Sequence, residues 1–444
     1  MSIFVAFLVV LLLTVADGVG SAVMLMFTLL TGMLICMTLP QKQRSRGMNL
    51  LAMVFSIYVS VAYIASLSFS KSEFFYVSDS MRYIEGYIKR TTFYYSQQDF
   101  YDCYFRFSDS NLLFNAYLNE MALIMNKYFG GMTVYGMTLC LTFFGVLSSL
   151  ILYKIFLRHF NETYAYNQVL IFSLCSQFFL YSTVIVRDVV ICFLYLVAFD
   201  IIDRKFSLKG FLMLFVVMLL AWGVRLYSGV FLGAFIWYYL YTKMSNGSAR
   251  FVGKFLAILF GVIIAVAIIG SSFMEQATEE LEVYEGLSQA RSAGGIVSRL
   301  MKLPPGISHM CIVFFTMIRP LPPFGAFVGV ESFSNFSIAT LSFISGFFWF
   351  VCFYTYTFLA IFNHQLKKLD FNKLLLLGIV FLFLLANASH PDVRRMLPVF
   401  PIIYLLMSQA FIDPQNIKRV KQYKNTLTVS FLTLGFVLFV FFSI

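Results

Sequence analysis

Apolar runs long enough to cross a bilayer recur from one end of this chain to the other, and that recurrence limits its fold more than any other feature. Hydrocarbon offers no hydrogen-bond partners, so a spanning chain must satisfy its backbone internally, as helices or as a closed barrel. One helical crossing takes roughly 20 apolar residues, fewer when the helix is short or re-entrant. About thirteen such runs can be marked, near residues 2–16, 20–39, 49–68, 132–155, 164–184, 189–203, 208–223, 227–242, 252–271, 338–362, 374–388, 396–411 and 425–443. A barrel would need roughly ten-residue segments of alternating polarity, and these runs do not alternate. With 60% hydrophobic residues, 12% charged residues and a mean hydropathy of +0.83, a chain of 444 residues is not a soluble globule. The expectation is an all-α polytopic integral membrane protein with about 13 transmembrane helices (range 11–14). Residues 1–444 form a single transmembrane domain, because no Gly/Ser linker or low-complexity stretch divides them. The first run follows Met-Ser-Ile-Phe without a basic leader, so a retained first span is expected in place of a cleaved signal peptide.

The polar junctions between the runs are of two kinds, and the kinds alternate. One kind carries the clusters Lys42/Arg44/Arg46, Lys154/Arg158, Arg204/Lys205/Lys209, Lys243/Arg250/Lys254, Lys367/Lys368/Lys373 and Lys418/Arg419/Lys421/Lys424. The positive-inside rule assigns these junctions to the cytoplasm, with the N-terminus inside and the C-terminus outside. That side then holds 18 of the 32 Lys+Arg, 12 of them Lys and 6 Arg, whereas the outward side holds 10 Arg and 4 Lys. The formal net charge of +11 divides into about +13 inside and −2 outside, so it reports orientation and gives no sign of nucleic-acid binding. Arginine binds phosphate and pyrophosphate through a planar fork of donors. An outward face stocked with it points to an anionic, lipid-linked substrate.

Two outward segments are large, about residues 69–131 and 272–337, and a third, 387–395, is short. In the third, Ser389-His390-Pro391-Asp392 has the form of a helix start, with a Ser cap, an early Pro and an acidic residue three after the cap. Arg394 and Arg395 then fall in the first two turns of a helix that Pro398 and Pro401 would kink, and a helix start bearing two arginines makes an anion site. The bland alternative is an arginine pair at headgroup level. Arg187 and Arg225 form a second pair, each preceded by Val and each between two short spans, at one membrane depth. A desolvated arginine there is costly and functional by default, with Asp188 a partner for Arg187; headgroup snorkelling is the alternative. Arg319, before Pro-Leu-Pro-Pro, is a further candidate substrate contact.

Two residues compete to be the general base toward a sugar hydroxyl. Asp79, in Asp79-Ser-Met-Arg-Tyr83, supplies a carboxylate, and His390 supplies an imidazole whose unperturbed pKa is about 6.5. Thirteen aromatics crowd Phe74 to Phe107, and Tyr83, Tyr94 and Tyr95 among them are candidates to stack on sugar rings, although Tyr at an interface also serves as a belt. The acidic run at residues 275–285 is a further place where acceptor activation would fit.

The four histidines are scattered, the seven cysteines form no framework, and neither C-x-x-C nor H-E-x-x-H occurs, so neither a metal nor a cofactor is expected. No Walker A loop is present, which excludes ATP-driven transport in this chain, and no Asp-x-Asp is present to hold a metal-bound nucleotide sugar.

In its layout of spans and loops, the Asp79-x-x-x-Tyr83 element, the outward Arg187 after a short span, and Arg394-Arg395-Met-Leu-Pro398 followed by a further span, the chain resembles the Wzy/EpsG-type polysaccharide polymerases. The resemblance covers the whole chain. It implies a GT-C-like architecture in the bacterial inner membrane and transfer of a growing glycan from undecaprenyl pyrophosphate onto a new lipid-linked repeat unit, outside the cytoplasm and without metal. Undecaprenyl-pyrophosphate-linked oligosaccharides and the bilayer are the implied partners, with a chain-length regulator protein a candidate. Related ligases use an outward His as base, a role that His390 matches, although Pro391 beside it departs from the pattern. A polyprenyl-phosphate-dependent glycosyltransferase or a glycan ligase is the enzymatic alternative. A lipid-linked sugar flippase or transporter is the non-enzymatic one, which internal repeats would favour; beyond the Arg187/Arg225 echo the sequence shows none.

Overall fold

The computed structural model describes residues 2–68, 84, 88, 112–243, 261, 300, 302–304, 306–317, 333–388 and 393–443. Within them every regular element is a helix: α1 Ser2–Asp17, α2 Val19–Met37, α3 Gln41–Ser68, α4 Leu112–Tyr128, α5 Val134–His159, α6 Glu162–Cys175, α7 Gln177–Ser182, α8 Asp188–Ile202, α9 Leu208–Val224, α10 Leu226–Lys243, α11 Ile307–Thr316, α12 Phe333–Phe362, α13 Phe371–Ala386, α14 Val393–Met396, α15 Phe400–Phe411 and α16 Ile417–Ser443. Short 3₁₀ turns occupy Gln365–Lys368 and Leu397–Val399. Among the described residues four helices are long and apolar enough to cross a membrane, Val19–Met37, Gln41–Leu67, Val134–His159 and Ala339–Phe362. The protein is a helical membrane protein. One hydrophobic core extends from Ala6 to Val420, while residues such as Leu12, Val15, Leu34 and Val429 face outward, as lipid-facing apolar side chains do.

Every expected run except residues 252–271, which lie outside the described residues apart from Gly261, is helical, with two departures in form. The run at 164–184 is not one helix. It breaks at Ser176, whose backbone is extended (φ −98°, ψ 166°) and whose hydroxyl accepts the Phe178 N–H, starting α7 afresh. After α7 the chain from Thr183 to Val186 is buried without being helical, and Thr142 Oγ1 of α5 donates to the Ser182 carbonyl at 3.0 Å. Irregular backbone at such depth survives only where the protein supplies partners of this kind. Gly145 on α5 makes the approach possible, since a Cβ there would stand 2.5 Å from Ser182 Cβ.

The second departure follows Arg395. The helix tightens to a 3₁₀ turn at Leu397–Val399 before α15 begins, because Pro398 and Pro401 lack the N–H groups an α-helix needs. Leu397's carbonyl, which cannot receive a bond from Pro401, accepts the Phe400 N–H and lies 3.8 Å from the Cys192 Sγ of α8. Trp349 of α12 stacks on Phe400 with centroids 3.9 Å apart, fixing where α15 starts.

Ion pairs gather the alternate junctions at one end of the bundle. Arg46 meets Glu162 at 3.4 Å, Arg158 reaches Asp200 and Asp203 at 2.7 Å each, and Lys368 reaches Asp413 at 3.3 Å. His159, Asp203, Lys243, Asp370 and Lys373 line a common cleft at the same end. All belong to the Lys-rich class of junction. At the other end of α5, the Asp17 carboxylate accepts hydrogen bonds from Thr133, at 2.6 Å, and from Ser21. The two kinds of junction therefore separate in space as they do in sequence.

Candidate functional site

At the end of the bundle away from the lysines, α8 and α10 both start and α9 stops. Asp188 is the first residue of α8, where a carboxylate is favoured by the helix dipole. Arg225 is the residue between α9 and α10, with an extended backbone (φ −160°, ψ 123°) that turns the hairpin. Its N–H bonds Ala221 O at 2.8 Å, its carbonyl accepts the Ser228 N–H at 3.0 Å, and Tyr195 of α8 donates to the Ser228 carbonyl at 3.1 Å. Those bonds tie the hairpin turn to α8 and hold the Arg225 main chain beside Asp188.

Arg225 Nη1 donates to Asp188 Oδ1 at 2.7 Å, with the two side chains only 5% and 1% exposed. Arg225, Arg394, Arg187 and Arg395 all act electrostatically on this one carboxylate. The short helix α14 that carries Arg394 and Arg395 packs against α7, and the 3₁₀ turn after it packs against α8. Arg395 is buried, and Arg187 and Arg394 are half-buried. Among the described residues Arg225 Nε is buried with no hydrogen-bond acceptor. A guanidinium offers five donors in a fixed fork; Nη1 is engaged by Asp188 and Nε is not engaged among the described residues.

The two arginine pairs read separately in the sequence therefore act on the same buried carboxylate. Asp188 forms a direct ion pair with Arg225, which the hairpin between α9 and α10 delivers to it, and it also feels the charge of Arg187, the partner read from the sequence. The remaining candidates, His390, Asp79, Tyr83, Tyr94, Tyr95 and Arg319, lie outside the described residues, as do the acidic run at 275–285 and Ser389 to Asp392.

Chemically, four guanidiniums in electrostatic reach of one buried carboxylate carry the donors needed to hold an anion with several oxygens. No protein-family model, no curated protein and no solved structure matches this chain.

The hairpin depends on Gly229, where a Cβ would lie 2.6 Å from Trp222 Cβ and 2.8 Å from Trp222 Cα. Gly229→Ala is expected to force α9 and α10 apart, an overpacking cost of about 1–3 kcal/mol, and to lower the unfolding temperature of the purified protein in detergent. An unchanged transition would contradict this packing.

Proposed function

We propose that this protein is a polysaccharide polymerase of the bacterial inner membrane, a metal-independent glycosyltransferase that joins undecaprenyl-pyrophosphate-linked repeat units on the extracytoplasmic face. The observation that carries this reading is the buried Arg225–Asp188 ion pair, with Arg187, Arg394 and Arg395 in electrostatic reach of the same carboxylate. In this reading the acceptor hydroxyl attacks the anomeric carbon of the donor glycan and the bond from that carbon to the pyrophosphate oxygen breaks. The hydroxyl proton passes to His390 or Asp79. Polyprenyl pyrophosphate leaves with the electron pair, and the arginines stabilise the charge that gathers on it, an electrostatic contribution from donors already in place. About 13 spans, a GT-C-like arrangement, a cytoplasmic N-terminus and an extracytoplasmic C-terminus belong to the same proposal.

In cells, loss of this protein is expected to leave single lipid-linked repeat units and to abolish long polymer on a gel. Long polymer made without it would contradict the reading. The transporter alternative is separated by proteoliposomes, in which a transporter would move a fluorescent lipid-linked oligosaccharide across the bilayer without lengthening it. For orientation, single cysteines at Ser288 and Asp109 are expected to react with an impermeant thiol reagent from outside, and those at Gln43 and Gln422 only from inside. Labelling at Gln43 and Ser288 from the same side would overturn the topology.

A further inference from the structure

We propose that Asp188 is the positioning residue of the anion site: it grips Arg225 by Nη1 so that the buried Nε–H of the same guanidinium is presented to an oxygen of the substrate's phosphate. The inference rests on the anion-site reading above and assigns a role within it.

Three observations carry it. First, Asp188 and Arg225 are almost wholly buried, so neither side chain is open to bulk solvent. Second, Arg225 spends one donor on Asp188 at 2.7 Å while its Nε, also buried, meets no acceptor among the described residues. A buried donor left in that state is a standing cost that an incoming oxyanion removes. Third, the main chain on both sides of Arg225 is fixed, by the Ala221 and Ser228 bonds and by Tyr195 from α8. With its backbone anchored and Nη1 held by Asp188, the guanidinium is restrained in orientation while its Nε–H stays available. Side-chain freedom lost before binding is not lost again on binding, which is how preorganisation raises affinity.

The rival role for Asp188 is simple charge compensation among four guanidiniums. The two roles predict opposite signs. Removing a mere counter-charge raises the site's attraction for an anion, whereas removing a positioning residue lowers it because Arg225 is no longer aimed.

The test measures binding of inorganic pyrophosphate to the purified full-length protein in detergent, with size-exclusion behaviour and unfolding temperature recorded for each variant. Arg225→Ala is expected to weaken binding by about tenfold or more. Asp188→Ala should weaken it to a similar degree, and Asp188→Ala combined with Arg225→Ala should be no worse than Arg225→Ala alone, since the two act as one unit. Asp188→Asn keeps an oxygen acceptor for Nη1 but loses the charge-assisted bond, so its affinity should fall between those of wild type and Asp188→Ala. Should Asp188→Ala fail to remain monodisperse, the sign of the Asp188→Asn change decides the question. Pyrophosphate binding by Asp188→Asn and Asp188→Ala equal to or tighter than wild type, with Arg225→Ala still impaired, would overturn the positioning role alone. No binding by wild type, or full binding by Arg225→Ala, would overturn the anion site itself and the proposal with it.

Discussion

Arg225→Ala is expected to abolish long polymer while the protein still inserts in the membrane. Arg225 is buried, its Nη1 is held by Asp188, and its Nε meets no acceptor among the described residues. Losing a charge-assisted hydrogen bond to the leaving pyrophosphate costs about 1.5–3 kcal/mol, which is roughly 10- to 150-fold in rate. The substitution also strips Asp188 of its direct partner, and breaking a buried ion pair from one side costs about 3–5 kcal/mol of stability. Arg225→Lys should rescue poorly, because an ammonium is a point charge on a flexible stem and cannot engage a carboxylate and a phosphate oxygen with one rigid fork. Arg187→Ala, Arg319→Ala and Arg395→Ala are expected to lose long polymer as well. Polymer ladders from membranes with matched protein levels make the comparison, and normal ladders from all four Ala variants would remove the arginines from the mechanism.

The second large effect concerns the base. If His390 takes the acceptor proton, His390→Ala loses turnover yet keeps donor binding, and activity falls as pH drops through the imidazole range, near ~6.5 for an unperturbed histidine. The sign follows from the competent form: a base must be neutral imidazole, so protonation removes activity at low pH. If Asp79 is the base, Asp79→Asn is the inactive variant, and His390→Ala retains most of its turnover. Turnover and donor binding measured on both variants with purified protein decide between them. Near wild-type turnover from both would move acceptor activation elsewhere, with residues 275–285 the next place to look.

What was legible in the sequence follows from what local physics encodes. Helices form where apolar runs must hide their backbone from lipid, so their positions could be read along the chain. The four described arginines could be singled out because charge at the ends of apolar spans is expensive. Their union could not. Arg187 and Arg394 are 207 residues apart, and nothing in a hydropathy pattern says that α14 packs on α7 while the turn after it packs on α8. Asp188 was visible as a neighbour of Arg187, but nothing local in the sequence shows that the hairpin between α9 and α10 also brings Arg225 into a direct ion pair with it. The break at Ser176 was hidden for a different reason. A serine inside an apolar run is tolerated in a continuous helix, and only the Phe178 N–H bond makes it a cap. The prolines at 398 and 401, by contrast, announce their kink, because a missing N–H acts on its own helix whatever packs around it.

The most direct measurement follows the leaving group. Purified protein is supplied with lipid-linked repeat units, and polyprenyl pyrophosphate released is counted against glycosidic linkages formed. The mechanism predicts one release for each linkage in the wild type and neither event in Arg225→Ala. Lengthening of the glycan without release of polyprenyl pyrophosphate, or release without lengthening, would contradict the assignment of the arginine cluster to a departing pyrophosphate.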